Sequence, residues 1–126
     1  MFKIKNIQGE QENEIVLNDS SSGTSARIQP SYGASLNELV IKNTKIITDL
    51  KPLDYKKTYP SSILFPFANR IKGGKYVFNG NNYSLDCNEN KANNALHGLV
   101  YNKPFVINEL KAFENHAEVK LIYEVM

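Results

Sequence analysis

Residues 75–87 read KYVFNGNNYSLDC, from Lys75 to Cys87. In an extended chain successive side chains alternate between faces. Tyr76 and Phe78 therefore share one face, and Tyr83, Leu85 and Cys87 share one face of the segment that follows. Between them stands Asn79-Gly80, two residue types that tolerate positive φ and so fit the tight turn of a hairpin. The stretch predicts two antiparallel strands, and its period of two recurs on both sides of it.

Upstream, FKIKNI alternates from Phe2, and apolar bursts follow at Ile15 to Leu17, Leu39 to Ile41 and Ile46 to Leu50. Each is bounded by clusters of Gly, Asn, Asp or Ser, which mark strand ends. The most polar run, NDSSSGTS at Asn18 to Ser25, fits a turn between strands. Downstream, FVINELKAF leads to a turn at ENHA, and EVKLIYEV returns with Val119, Leu121, Tyr123 and Val125 on one face. That pattern predicts a half-buried antiparallel hairpin. Between the two halves lies LKPLDYKKTYPSSILFPFANRI, where Pro52, Pro60 and Pro66 forbid a long regular element. A long connection rich in Tyr, Phe, Leu and Ile is expected, packed rather than disordered, with room for one helical turn. The fold class expected is all-β, an antiparallel β-sandwich.

The chain has 126 residues, 41% hydrophobic and 22% charged, which predicts a single domain over residues 1–126 with a modest core. Seven Tyr favour strands. The net charge is +2 and the lysines form no block, so neither nucleic acid nor a membrane surface is an expected partner. Lys3 and Lys5, alternating with Phe2 and Ile4, read as the solvated face of a strand. A single cysteine, Cys87, allows no intrachain disulfide. The N-terminal run turns polar before reaching signal-peptide length, and no stretch nears the roughly 20 apolar residues of a membrane span. A soluble cytoplasmic protein is the expectation.

Nucleotide and hydrolase fingerprints of the GxGxxG, GxxxxGK[ST] and GxSxG types are missing from the sequence. Lys72 to Lys75, KGGK, precedes a strand and reads as a bend rather than a phosphate cradle. Cys87, His97 and His116 lack the close spacing of a zinc set, so no metal is expected. His116 falls in the expected turn of the last hairpin and reads as an exposed turn residue. Arg70 and His97 are harder to set aside. Arg70, in FANRI, offers a planar five-donor guanidinium suited to vicinal oxygens. His97, in ALHGL, has small neighbours, and Gly98 permits a backbone or ligand to approach closely. Composition alone leaves two readings open for each: an ion pair or a ligand group for Arg70, a hydrogen-bonded core residue or a ligand group for His97.

Taken together, LFPFANRIKGGKYVFNGNNYSL and NNALHGLVYNKPF resemble the aldose 1-epimerases, or galactose mutarotases. Asn69, Arg70 and Ile71 match the family's Asn-Arg-Ile after a Phe-Pro segment. Gly74, Tyr76, Phe78, Gly80, Tyr83 and Leu85 match its glycine and aromatic hairpin, and Asn94, Leu96, His97 and Gly98 match its Asn-x-Leu-His-Gly. SYGASLNELVIKN at Ser31 to Asn43 is similar to an earlier Gly-Ala strand of the family.

The resemblance implies a large antiparallel β-sandwich, a monosaccharide substrate, no cofactor, and interconversion of the α and β anomers of free aldoses. It assigns Arg70 and His97 to sugar hydroxyls, with Asn69 as their neighbour. It also implies that residues 1–126 correspond to the N-terminal part of a larger sandwich, because family members are more than twice as long. The family's second His, the general acid, and its Glu, the general base, would then lie beyond Met126, and no catalytic residue is identified within the chain. The expected function is the sugar-binding half of a site for acid–base ring opening. A sugar-phosphate epimerase of the same superfamily and a non-catalytic carbohydrate-binding module are the alternatives. An uncovered apolar face on the last strand carries the further expectation of a homo-oligomer or of aggregation.

Overall fold

The computed structural model describes residues 1–10, 13–53 and 55–125; Met126, where the sequence reading ends the last strand, lies outside them. The described residues form two compact units, one drawn from 1–63 and 101–125 and one from 64–100. Every strand pairing in both is antiparallel.

The first unit is built on a five-stranded meander, β1 (Lys3–Gln8), β2 (Asn13–Asp19), β3 (Thr24–Gln29), β4 (Ser35–Ile41) and β5 (Thr44–Ile47), paired in chain order. Its two faces follow from the alternation. Ile15 is fully buried on β2 and is paired with Ile28. On the opposite face Arg27 lies across from Glu38, and its guanidinium bonds Glu38 Oε1 at 3.2 Å and Glu14 Oε2 at 3.0 Å. A register shift after Arg27 leaves Asn37 as the extra residue of a bulge. Buried there, Asn37 accepts from Ser35 Oγ at 2.9 Å and donates to Gln29 Oε1 at 3.0 Å, so the bulge buries polar groups that are satisfied.

The proline-bearing connection contains a single helical turn, α1 (Tyr55–Thr58). Two of its tyrosines pack: Tyr55 meets Tyr32 edge-on at 4.5 Å, and Tyr59 meets Tyr101 at 5.3 Å, whereas Leu53, Ile63, Leu64 and Phe65 are exposed, so the packed connection expected from the sequence is found only in part. The last hairpin, labelled below after the strands of the second unit, joins β1 through Phe2 N–H donating to the Phe113 carbonyl at 3.1 Å.

In the second unit β6 (Arg70–Lys72) pairs with β9 (Asn94–Leu96), and β7 (Lys75–Phe78) pairs with β8 (Asn81–Ser84). The β7–β8 hairpin is the one the sequence predicts. Asn79 and Gly80 have φ of 48° and 77°, and Tyr76 stacks on its cross-strand partner Tyr83 at 5.1 Å. Gly73 and Gly74, with φ of 60° and 65°, turn β6 into β7, so KGGK is a bend.

Returning to the first unit, β10 (Val106–Ala112) and β11 (Ala117–Ile122) form the last hairpin, with its turn at residues 113–116. One detail is corrected. The strand ends at Ile122, and Val125 is 81% exposed rather than inward-facing with Val119, Leu121 and Tyr123. Among the described residues beyond Ile122, no ladder partner holds the alternation in register.

Candidate functional site

The three residues singled out in the sequence converge within the second unit, and a short ladder brings them there. In β6–β9 Arg70 lies opposite Leu96, Ile71 opposite Ala95 and Lys72 opposite Asn94. One rung further, Asn69 and His97 face each other with φ of 63° each. The His97 amide donates to the Asn69 carbonyl at 2.9 Å, and the Asn69 amide donates to His97 Nδ1 at 3.3 Å. The left-handed region is uncommon for residues other than glycine, and Asn and His are among those that adopt it more often. The bond to Nδ1 selects the imidazole tautomer with its proton on Nε2, which makes Nε2 the donor of the neutral ring.

Gly98 then fulfils the close approach read from the sequence, and the approaching group is backbone. At φ 78° a Cβ on it would lie 2.3 Å from the Phe65 carbonyl oxygen, which accepts the Leu99 amide at 2.7 Å.

Arg70 is held by a residue the sequence reading did not single out. Its Nε lies 2.9 Å from both carboxylate oxygens of Glu89, and its Nη2 lies 2.7 Å from Oε1. Nη1 donates to Asn69 Oδ1 at 3.3 Å. Glu89 is fixed in turn: Asn94 Nδ2 donates to Oε2 at 2.9 Å, and the Glu89 amide donates to the Asn94 carbonyl at 3.1 Å. Beside it Asn88 clasps Leu96, donating to its carbonyl at 2.9 Å and accepting from its amide at 2.7 Å. Asn88 and Glu89 thus buckle the strand that carries His97 to the strand that carries Arg70.

The electrostatics follow this geometry. Hydrogen bonds from Arg70 and then Asn94 hold the Glu89 carboxyl down at about 2, with the Arg70 charge adding to the effect. The bond to Glu89, and then its charge, raise the Arg70 guanidinium. The ion pair is not sealed from water, since the Arg70 side chain is 52% exposed. It borders an open concavity of about 530 Å³ lined by Arg70, Lys72, Gly73, Ala92, Asn93 and Asn94. Chemically the arrangement offers fixed donors and carboxamides at an accessible surface, suited to a polyhydroxylated ligand.

The other candidates lie apart from this network. His116 sits in the β10–β11 turn, stacked on Phe113 at 4.3 Å and 3.3 Å from Glu118 Oε1. Among the described residues no group of three His, Cys, Asp or Glu side chains could hold a metal ion. None of the described helices is long and apolar enough to cross a membrane.

An all-β antiparallel fold with an Arg–Asn–His cluster on a short ladder defines the class of the protein, and comparison with known proteins places it. The family model described as aldose 1-epimerase matches residues 14–125, and the chain belongs to that family. It is 34% identical over 80 residues to the protein YihR of Escherichia coli (strain K12), a match spanning 64% of this chain and 26% of that one. Among solved structures it is similar to a galactose mutarotase-like protein from Clostridium acetobutylicum, with a TM-score of 0.79 and 27% identity. That match covers 100% of this chain and 39% of the other. It also shares its fold with galactose 1-epimerase from Lactobacillus acidophilus NCFM, with a TM-score of 0.69 and 20% identity, over 96% of this chain and 37% of that one. The fold is the antiparallel β-sandwich of galactose mutarotase-like proteins, and the chain spans well under half the length of these relatives.

Proposed function

We propose that the protein takes part in the interconversion of the α and β anomers of a free aldose, and that this chain supplies the hydroxyl-binding half of the site. Arg70 and His97 bind sugar hydroxyls, with Asn69 orienting both. The reaction needs a base at the anomeric hydroxyl and an acid at the ring oxygen, so that the ring opens without a free alkoxide, rotates about C1–C2 and recloses on the other face. Binding groups that hold the sugar in register with such a pair reduce the entropy lost on reaching the transition state.

The observation that carries this reading is the closed network itself. Asn69 bonds both Arg70 and His97, through Oδ1 at 3.3 Å and through the paired backbone contacts. A residue kept only as a surface ion pair would not need a histidine bonded into the same network. A sugar phosphate would meet the Glu89 carboxylate beside Arg70, so Arg70 does not make a phosphate site, although Lys72 lines the same concavity.

The test is a titration of the protein with D-galactose and D-glucose followed by amide NMR. Shifts centred on residues 69–72 and 94–98 are expected. Arg70→Ala should weaken binding by about tenfold to a hundredfold, the loss of a charge-assisted hydrogen bond of ~1.5–3 kcal/mol. Sugar-induced shifts elsewhere, or none at all, would defeat the proposal.

A further inference from the structure

The geometry points to Glu89 as a positioning residue that orients Arg70 toward the ligand and, by matching its charge, lowers the affinity of the site for anionic sugars relative to neutral ones; the ligand part of this inference rests on the sugar-binding role proposed above. A guanidinium has five N–H donors in a rigid fork. Glu89 takes the edge bearing Nε and Nη2, at 2.7 and 2.9 Å. Asn69 takes one donor of Nη1. The fork is therefore gripped along one side, and what remains for a ligand lies along the Nη1 side, half-exposed beside the concavity. Without that grip an arginine samples many rotamers, and ordering them on binding would cost affinity.

Glu89 is built to stay in place. Asn94, itself on β9, donates to Oε2, and its Oδ1 accepts the Gly73 amide at 3.3 Å. The backbone of Glu89 is tied on both sides, its amide to the Asn94 carbonyl and its carbonyl to the Asn93 amide at 2.7 Å. Asn93 and Asn94 also line the concavity, so the elements that fix the carboxylate form the surface the ligand would meet.

The charge consequence is separate from the orientation. Arg70 and Glu89 together present no net charge, so a hydroxyl gains a fixed donor, while a ligand carboxylate or phosphate meets the Glu89 carboxylate as well as the guanidinium. Lys72 lines the same concavity whatever stands at position 89, so a change at 89 isolates the effect of the pair.

The experiment compares the wild type with Glu89→Gln and Glu89→Asp, titrating each with D-galactose and with D-galacturonate, which differ in the carboxylate at C6. The ¹⁵N-labelled side-chain Nε–H of Arg70 is followed in parallel. In the wild type a resolved, slowly exchanging Nε–H signal is expected. Glu89→Gln should lose that signal and bind galactose more weakly. Its galacturonate-to-galactose affinity ratio should rise roughly two- to fivefold at low salt, the range of an exposed charge interaction, and this rise should fade at high salt. Glu89→Asp keeps the charge but shortens the reach. It should lose the signal and weaken galactose without moving the ratio, so it tests the orienting role even where the glutamine variant is poorly folded. An unchanged Nε–H signal with an unchanged ratio in a folded Glu89→Gln protein would overturn the inference. If Glu89 governs the Nε–H signal but the wild type binds neither sugar, the positioning role stands, while the sugar-binding reading and the selectivity built on it fall.

Discussion

At the scale of the residue, the feature with the clearest measurable consequence is the Glu89 carboxyl, held at about 2 by Arg70 and Asn94. A carboxyl whose value is lower in the folded chain than its ordinary 4.5 contributes stability above that ordinary value and loses it as pH falls toward the folded value. The difference in thermal midpoint between the wild type and Glu89→Gln should therefore be constant from neutral pH down to about 5. It should then shrink between about 4.5 and about 2. A gap that persists at pH 2 would mean that the Glu89 charge is not what the fold uses. Arg70, His97 and Asn69 could be picked out of the sequence as candidates because each stands in a short local motif. Glu89 was not, since it lies 19 positions from Arg70 and in a polar run, NENKANN, that reads as solvated loop. Only the ladder that folds residue 89 against residue 70 gives it a role. The one usable signal was the asparagine-rich spacing around it, because Asn side chains satisfy backbone groups in turns.

At the scale of the element, legibility tracks length and locality. The β7–β8 and β10–β11 hairpins were readable because turn chemistry and alternation agree over a dozen residues. The β6–β9 pairing was not, because each strand has three residues and the ladder joins Arg70 to Leu96 across a whole intervening hairpin. The short ladder is secured by close backbone approach instead, and Gly98 is where that can be tested. Gly98→Ala would place a Cβ 2.3 Å from the Phe65 carbonyl oxygen at φ 78°, whereas at Gly80, with φ 77°, nothing stands within 4 Å. Both substitutions carry the conformational cost of a left-handed residue, about 1–2 kcal/mol. Only the first also forces backbone apart. Urea denaturation should show Gly98→Ala destabilising by at least about 1 kcal/mol more than Gly80→Ala, in the range of strained backbone sites. Equal losses would mean that the β6–β9 end relaxes freely and does not rigidly position His97.

At the scale of the whole molecule, the question is whether this chain can carry out ring opening by itself. The chain spans 39% of the galactose mutarotase-like structure it matches at 27% identity, so the chemistry of its own residues decides. Arg70 is protonated throughout the accessible range and cannot accept a proton. Glu89 is the carboxylate nearest to hand, yet an acid held at about 2 has a conjugate base too weak to deprotonate an anomeric hydroxyl efficiently. His97 is a single group tethered at Nδ1 by the Asn69 amide, and one imidazole cannot serve the anomeric hydroxyl and the ring oxygen together. His116 is engaged with Asn115 at 2.7 Å and with Glu118. Each positioned acid or base typically contributes about 10²–10⁴-fold, and where such groups act as a unit, losing either one costs nearly as much as losing both. The 126-residue chain should therefore bind sugar without speeding mutarotation. Polarimetry on freshly dissolved α-D-galactose should give the same approach to equilibrium with and without the chain at micromolar concentration. An acceleration that disappears in His97→Ala would show that the network of Asn69, Arg70, Glu89 and His97 is a complete catalytic site, with Glu89 a stronger base than its bonds to Arg70 allow.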